Sequence, residues 1–122
     1  MSPIILEIPI VTKSEANMRS HWSVKAKRVR AQRLAVTYAA LAAGVRGVIR
    51  IALPATVTLT RIAPRELDGD NCQSAMKGVR DQVADLLGLP NDRDPLVEWR
   101  YMHERGKPRY YGVRVTIAPR NP

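Results

Sequence analysis

Leu67-Asp68-Gly69-Asp70-Asn71 sets two carboxylates two residues apart with an amide beside them. Gly69 lets the backbone turn tightly between them and approach a ligand closely. A second acidic cluster, Asn91-Asp92-Arg93-Asp94, follows in a turn closed by Pro95. If that turn folds back toward the first, Asp68, Asp70, Asp92 and Asp94 converge. Hard divalent cations select such all-oxygen sites, and the expected ion is Mg²⁺, with Mn²⁺ as the alternative. The ordinary reading is that these acids cap helices and shape turns.

The elements that must hold these groups can be read from periodicity. From Asp70 to Leu87 the pattern predicts a helix ending at Gly88, a natural residue for the position just past a helix. At 100° per residue, Cys72, Met76, Val79, Val83 and Leu87 fall in one narrow stripe that should face the core. Asp70, Ser74, Lys77 and Asp81 share a second stripe on another side of the helix. Lys77 is thus aligned with Asp70, and Asp81 lies at i+4 from it as an ordinary salt-bridge partner.

Charge is distributed unevenly. The 122 residues carry a net charge of +9, which points to a polyanionic partner. No acid occurs from Ala16 through Arg65, a stretch holding ten Lys and Arg, whereas nine of the eleven acids lie between Glu66 and Glu104. A protein that only coats DNA has little reason to concentrate carboxylates, which repel phosphate. A nuclease does, because a metal ion bridges the two. The single cysteine, Cys72, excludes an internal disulfide and a cysteine-rich zinc site. With no apolar run of membrane length and no signal-peptide pattern, a soluble cytoplasmic protein is expected. The length predicts one domain over 1–122.

In chain order, Ile4 to Ile10 reads as an edge strand. Ser20 is a plausible cap for a helix running to about Ala43, with Trp22 as a core anchor on a face shared with Ala26, Val29, Val36 and Ala40. Arg19, Lys25, Lys27, Arg28 and Arg30 surround it and are candidate DNA-phosphate contacts. Val48–Leu53 and Ala55–Ile62 read as strands broken at Pro54. Leu96–Glu104 and Tyr110–Ala118 read as two more, joined by a basic hairpin turn, Arg105 to Arg109. The order is roughly β-α-β-β-α-β-β, with two main helices: an α+β domain with a mainly antiparallel sheet.

Asp68-Gly69-Asp70-Asn71, Lys77 and Asp81 on the next helix, Asn91-Asp92-Arg93-Asp94, and the strand Val97-Glu98-Trp99-Arg100-Tyr101 together resemble the RusA family of Holliday junction resolvases. These are small basic endonucleases, many encoded by phages and prophages. The resemblance spans roughly Arg61 to Tyr101. It implies a Mg²⁺-dependent homodimer that cuts four-way DNA junctions by paired symmetric nicks in recombination and repair. Asp68, Asp70 and Asp92 match the family carboxylates, Asn71 the adjoining asparagine and Lys77 the functional lysine. The chain departs in two places. The family lysine often lies nearer the position of Ser74, and Arg93 interrupts the acidic pair, so Asp94 competes with Asp92 for the third role. The rivals are a DNA-binding module without catalysis and a metal-dependent nuclease acting on other branched DNA.

Overall fold

The structure is a computed structural model and describes residues 3–12 and 22–120. Arg19, Ser20 and His21 lie outside the described residues. Seven elements follow one another: β1 (Ile4–Ile8), α1 (Trp22–Ala42), β2 (Ala55–Ala63), α2 (Gly69–Ala75), α3 (Lys77–Leu86), β3 (Val97–Arg105) and β4 (Gly112–Pro119). The strands form one sheet in the order β1-β4-β2-β3. β4 runs antiparallel to both β1 and β2, and β3 runs parallel to β2. This is the expected α+β domain with a mainly antiparallel sheet.

Alternation along the strands builds the core. Leu6, Val115 and Leu59 lie level across three strands, as do Ile8, Val113 and Arg61. All six are buried, so one sheet face is an apolar floor interrupted by a single guanidinium. The helices cover it. The stripe Cys72, Met76, Val79, Val83 and Leu87 is buried as its period requires, and it joins Val36 and Ala40 of α1 in one cluster. Truncating such a residue, Leu59 for example, costs about 2–5 kcal/mol. The helical layer ends in a firm stop. Gly88 takes φ +73°, its N–H reaches the Asp85 carbonyl, and Leu89 N–H reaches that of Ala84, closing the carbonyls a helix end leaves open.

Four local expectations give way. Val48–Leu53 forms no strand. Ile49 is buried and its N–H donates to the Leu86 carbonyl at 2.6 Å, so this apolar run closes the end of α3 instead. Arg105 to Arg109 does not make a hairpin, because β2 lies between β3 and β4. The chain crosses the end of β2 there, and Gly106 N–H donates to the Ala63 carbonyl. The helix expected from Asp70 to Leu87 is divided at Met76, whose φ −118° and ψ 21° leave the helical region. Trp22 is 74% exposed rather than a core anchor. Val36 and Ala40, in the second half of α1, do the anchoring instead.

Candidate functional site

The chain enters the site from the C-terminal end of β2. Just before it, Arg61 is only 4% exposed and has no carboxylate partner among the described residues. Its Nε donates to Thr12 Oγ1 at 2.8 Å, and its two terminal nitrogens donate to the carbonyls of Arg65 (2.6 Å) and Thr12 (3.2 Å). A buried charge is tolerated only when its donors are satisfied, and all three nitrogens are. Burial pulls the Arg61 pKa below its ordinary value, with Cys72 and Tyr111 opposing. Arg61 thereby ties the segment leading into the acidic turn to the segment after β1.

Asp68 occupies the cap position of α2 in an extended conformation, yet its side chain makes no capping hydrogen bond. Asp70, one residue into the helix, is exposed and makes no hydrogen bond or ion pair among the described residues. The ordinary explanation for these two acids, capping, is therefore not what their side chains do. Cys72 faces inward, and burial pushes its thiol pKa up, with the Arg61 charge opposing. A neutral, buried thiol is a poor nucleophile.

Beside Asp70 lies a depression of about 460 Å³, largely open to solvent. Asp70, Gln73 and Ser74 of α2, Lys77 and Arg80 of α3, Asp92 and Arg93 of the following turn, and Tyr101 of β3 line it. Three of the residues singled out by sequence, Asp70, Lys77 and Asp92, thus share one lining. Asp68 is exposed next to it without lining it. Asp94 is turned elsewhere, its Oδ1 accepting the Leu96 N–H at 2.9 Å.

Arg80 organises the floor of this cleft. Its guanidinium carbon stands 4.6 Å over the Trp99 ring. Its terminal nitrogens donate to Tyr101 Oη (3.1 Å) and to the Asp92 carbonyl (3.0 Å). Its Nε lies 2.8 Å from Asp92 Oδ2 without aiming its hydrogen there. One side chain so fastens the 91–95 turn to β3 and sets Asp92 facing α2. Lys77 Nζ lies 3.3 Å from Asp81 Oδ2 and stays 66% exposed, a pair that contributes only about 0.3–0.5 kcal/mol.

With three cations and two carboxylates, the lining suits a phosphate better than a neutral ligand. Among the described residues, no group of three or more Asp, Glu, His or Cys side chains stands close enough to hold a metal ion. Asp70 and Asp92 are the two carboxylates the cleft offers.

A smaller groove of about 130 Å³ continues from the cleft through Ser74 and Lys77 to Lys25, Arg28, Val29 and Gln32 of α1. Two of the candidate phosphate contacts, Lys25 and Arg28, therefore border the same surface as Lys77. Lys27 and Arg30 are exposed on α1 outside that groove. Arg19 lies outside the described residues.

No protein-family model matches this chain, and no curated protein matches it either.

Sequence reasoning overlooked Arg80, Arg93 and Tyr101. Arg80 had a legible signal. It lies one helical step from both Lys77 and buried Val83, at the border of the polar and apolar stripes, where an arginine can bury its stem and direct its head. Tyr101 could have been found by parity, since it shares the inward face of β3 with Val97 and Trp99.

Proposed function

We propose that this chain is a Mg²⁺-dependent endodeoxyribonuclease of the RusA kind, resolving four-way DNA junctions as a homodimer. The observation that carries the reading is the shared lining of Asp70 and Lys77 with Asp92 from a later turn, Asp70 having no hydrogen bond or ion pair among the described residues. Mg²⁺ keeps several waters and is commonly held by one or two carboxylates together with substrate phosphate. Asp70 and Asp92 fit that donor set, and exposed Asp68 is near enough in sequence to add to it. A Mg²⁺ ion held there by Asp70 and Asp92 would supply Lewis-acid polarisation of the scissile phosphate and a water of lowered pKa. Asp92 is held toward the cleft by Arg80, which also keeps the floor rigid. Lys77 sets its ammonium against the negative charge that builds on the phosphate during displacement. Arg93 on the cleft, and Lys25 and Arg28 on the adjoining groove, hold the flanking phosphates. A two-fold dimer presents two equivalent clefts to a junction that has the same symmetry.

Cleavage of four-way, three-way and linear DNA by the wild type and Asp70→Asn in Mg²⁺ tests this reading. The expected result is paired nicks in the four-way junction by the wild type, and junction binding without cleavage by the variant. Cleavage of three-way or linear DNA at equal rates points to a broader nuclease. Binding with no cleavage in Mg²⁺ or Mn²⁺ points to a DNA-binding module, the reading favoured by the Asp92–Arg80 contact if that contact is purely structural.

A further inference from the structure

We infer that Gln32, in the middle of α1, is a positioning residue that aims Lys77 into the cleft; this rests on the nuclease reading. The joint between α2 and α3 lies at Met76, one residue before Lys77. A new helix starting there exposes unpaired N–H groups, and the one ending there exposes unpaired carbonyls. Neither end has a side-chain cap of its own: the α3 cap position is Met76 and makes no capping bond.

Gln32 supplies both ends from another helix. Its Nε2 donates to the Ala75 carbonyl at 2.7 Å. Its Oε1 accepts the N–H groups of Gly78 at 3.0 Å and Val79 at 3.3 Å. One amide thus closes the last carbonyl of α2 and two of the first donors of α3. The backbones meet closely enough to make this possible only because residue 78 lacks a side chain. A Cβ on Gly78 would stand 2.6 Å from the Val29 carbonyl oxygen and 2.8 Å from Gln32 Cβ.

The consequence is geometric. With a continuous helix, Lys77 and Asp70 are related by helical spacing alone. With the joint, the direction of Lys77 is set by where α3 starts, and Gln32 sets that start. Gln32 also lines the groove next to Lys77, so the clamp and the side chain it aims are neighbours. Lys77 is itself exposed and, among the described residues, held only by Asp81, so its placement depends on the backbone beneath it.

The test uses Gln32→Met, which fills the same length without hydrogen bonds, and Gln32→Glu, which keeps the acceptor. Each is combined with Lys77→Ala. Junction cleavage in Mg²⁺ is read as kcat and KM, and amide exchange at Gly78 and Val79 is read without substrate. The expected result for Gln32→Met is faster exchange at both amides, a roughly 10- to 100-fold fall in kcat and little change in KM, since small misplacement of a reacting group acts on the chemical step. Gln32→Glu recovers much of the rate. In the Lys77→Ala background Gln32→Met lowers kcat no further. Additive losses, or an unchanged kcat despite faster exchange, overturn the inference and leave the nuclease reading standing. A wild type that cuts nothing overturns both. Should Gln32→Met fail to fold, Gln32→Asn, which draws the amide back by one methylene, carries the same cycle.

Discussion

The outer face of the sheet and the start of α2 treat their acids in opposite ways. On the outer face of the sheet, every glutamate has an arginine. Arg114 reaches Glu7 on one side and Glu104 on the other, at 2.7 and 3.0 Å. Glu98 meets Arg100 at 2.8 Å and Arg120 at 3.7 Å. On the helical side, Asp81, Asp85 and Asp92 are paired with Lys77, Arg33 and Arg80, but Asp68 and Asp70 at the start of α2 meet no cation among the described residues, although the chain has almost twice as many basic as acidic residues. In such a chain a carboxylate finds an arginine easily, as the sheet face shows. Acids kept apart from cations at one helix start are therefore available to bind something else. The glutamates of the sheet face are neutralised; in the cleft, Asp92 and Lys77 have partners and Asp70 is left with its charge still to be satisfied.

The sharpest way to break this contrast is Asp70→Asn. Junction cleavage should fall by about 10²–10³-fold, the loss typical of removing one preorganised electrostatic group, while the melting temperature holds, because Asp70 has no partner among the described residues to lose. A drop in melting temperature would show that Asp70 has a structural role after all. Next in size is Gly78→Ala. The added methyl meets backbone on α1, so thermal or denaturant unfolding should show a loss of about 1–3 kcal/mol, against the gain alanine brings to an unconstrained helix. On the opposite face, Arg114→Met should cost no more than about 1 kcal/mol even though it severs two ion pairs. A larger cost would mean the sheet face is a structural centre rather than a solvated surface.

The smallest effect is one of pH. The hydrogen bond and charge of Arg100 hold Glu98 below the ordinary glutamate range. A lowered carboxylate pKa adds stability above the ordinary value, and that stability is lost as pH falls through the lowered one. The gap in melting temperature between the wild type and Glu98→Gln should therefore close in acid and persist at neutral pH. A gap that stays constant across the acid range would remove the ion pair from the account.

The apolar stripe of α2 and α3 and the alternation of β2 and β4 were legible because each follows from a backbone period. Cys72, Met76, Val79, Val83 and Leu87 keep their shared face even though the helix breaks between them. The break itself was not legible, because Gln32 and Gly78 make it from a helix distant in sequence. The Val48–Leu53 run was misread because an apolar segment plugging a helix end looks like one filling a sheet. The strand order was misread for a related reason. A basic turn rich in Gly and Pro signals a reversal but does not say whether the reversed strand pairs with its predecessor or crosses to the far side of another. In the site, residue types pointed to Asp70, Lys77 and Asp92; the stripe border marked Arg80, but that it joins Asp92 to β3 emerged only from its packing on Trp99.

The strand order bears on how the chain matures. β1 bonds only to β4, and β2 bonds only to β3 and β4. Every ladder thus awaits residues from Val97 onward, so a nascent chain stopped short of them can wind helices but zip no sheet. Pairings between such distant partners close slowly. The acidic turn after β2 has no settled floor until β3 arrives with Trp99 and Tyr101. A ribosome-stalled or truncated product would thus carry the reactive residues while lacking the scaffold that brings them face to face.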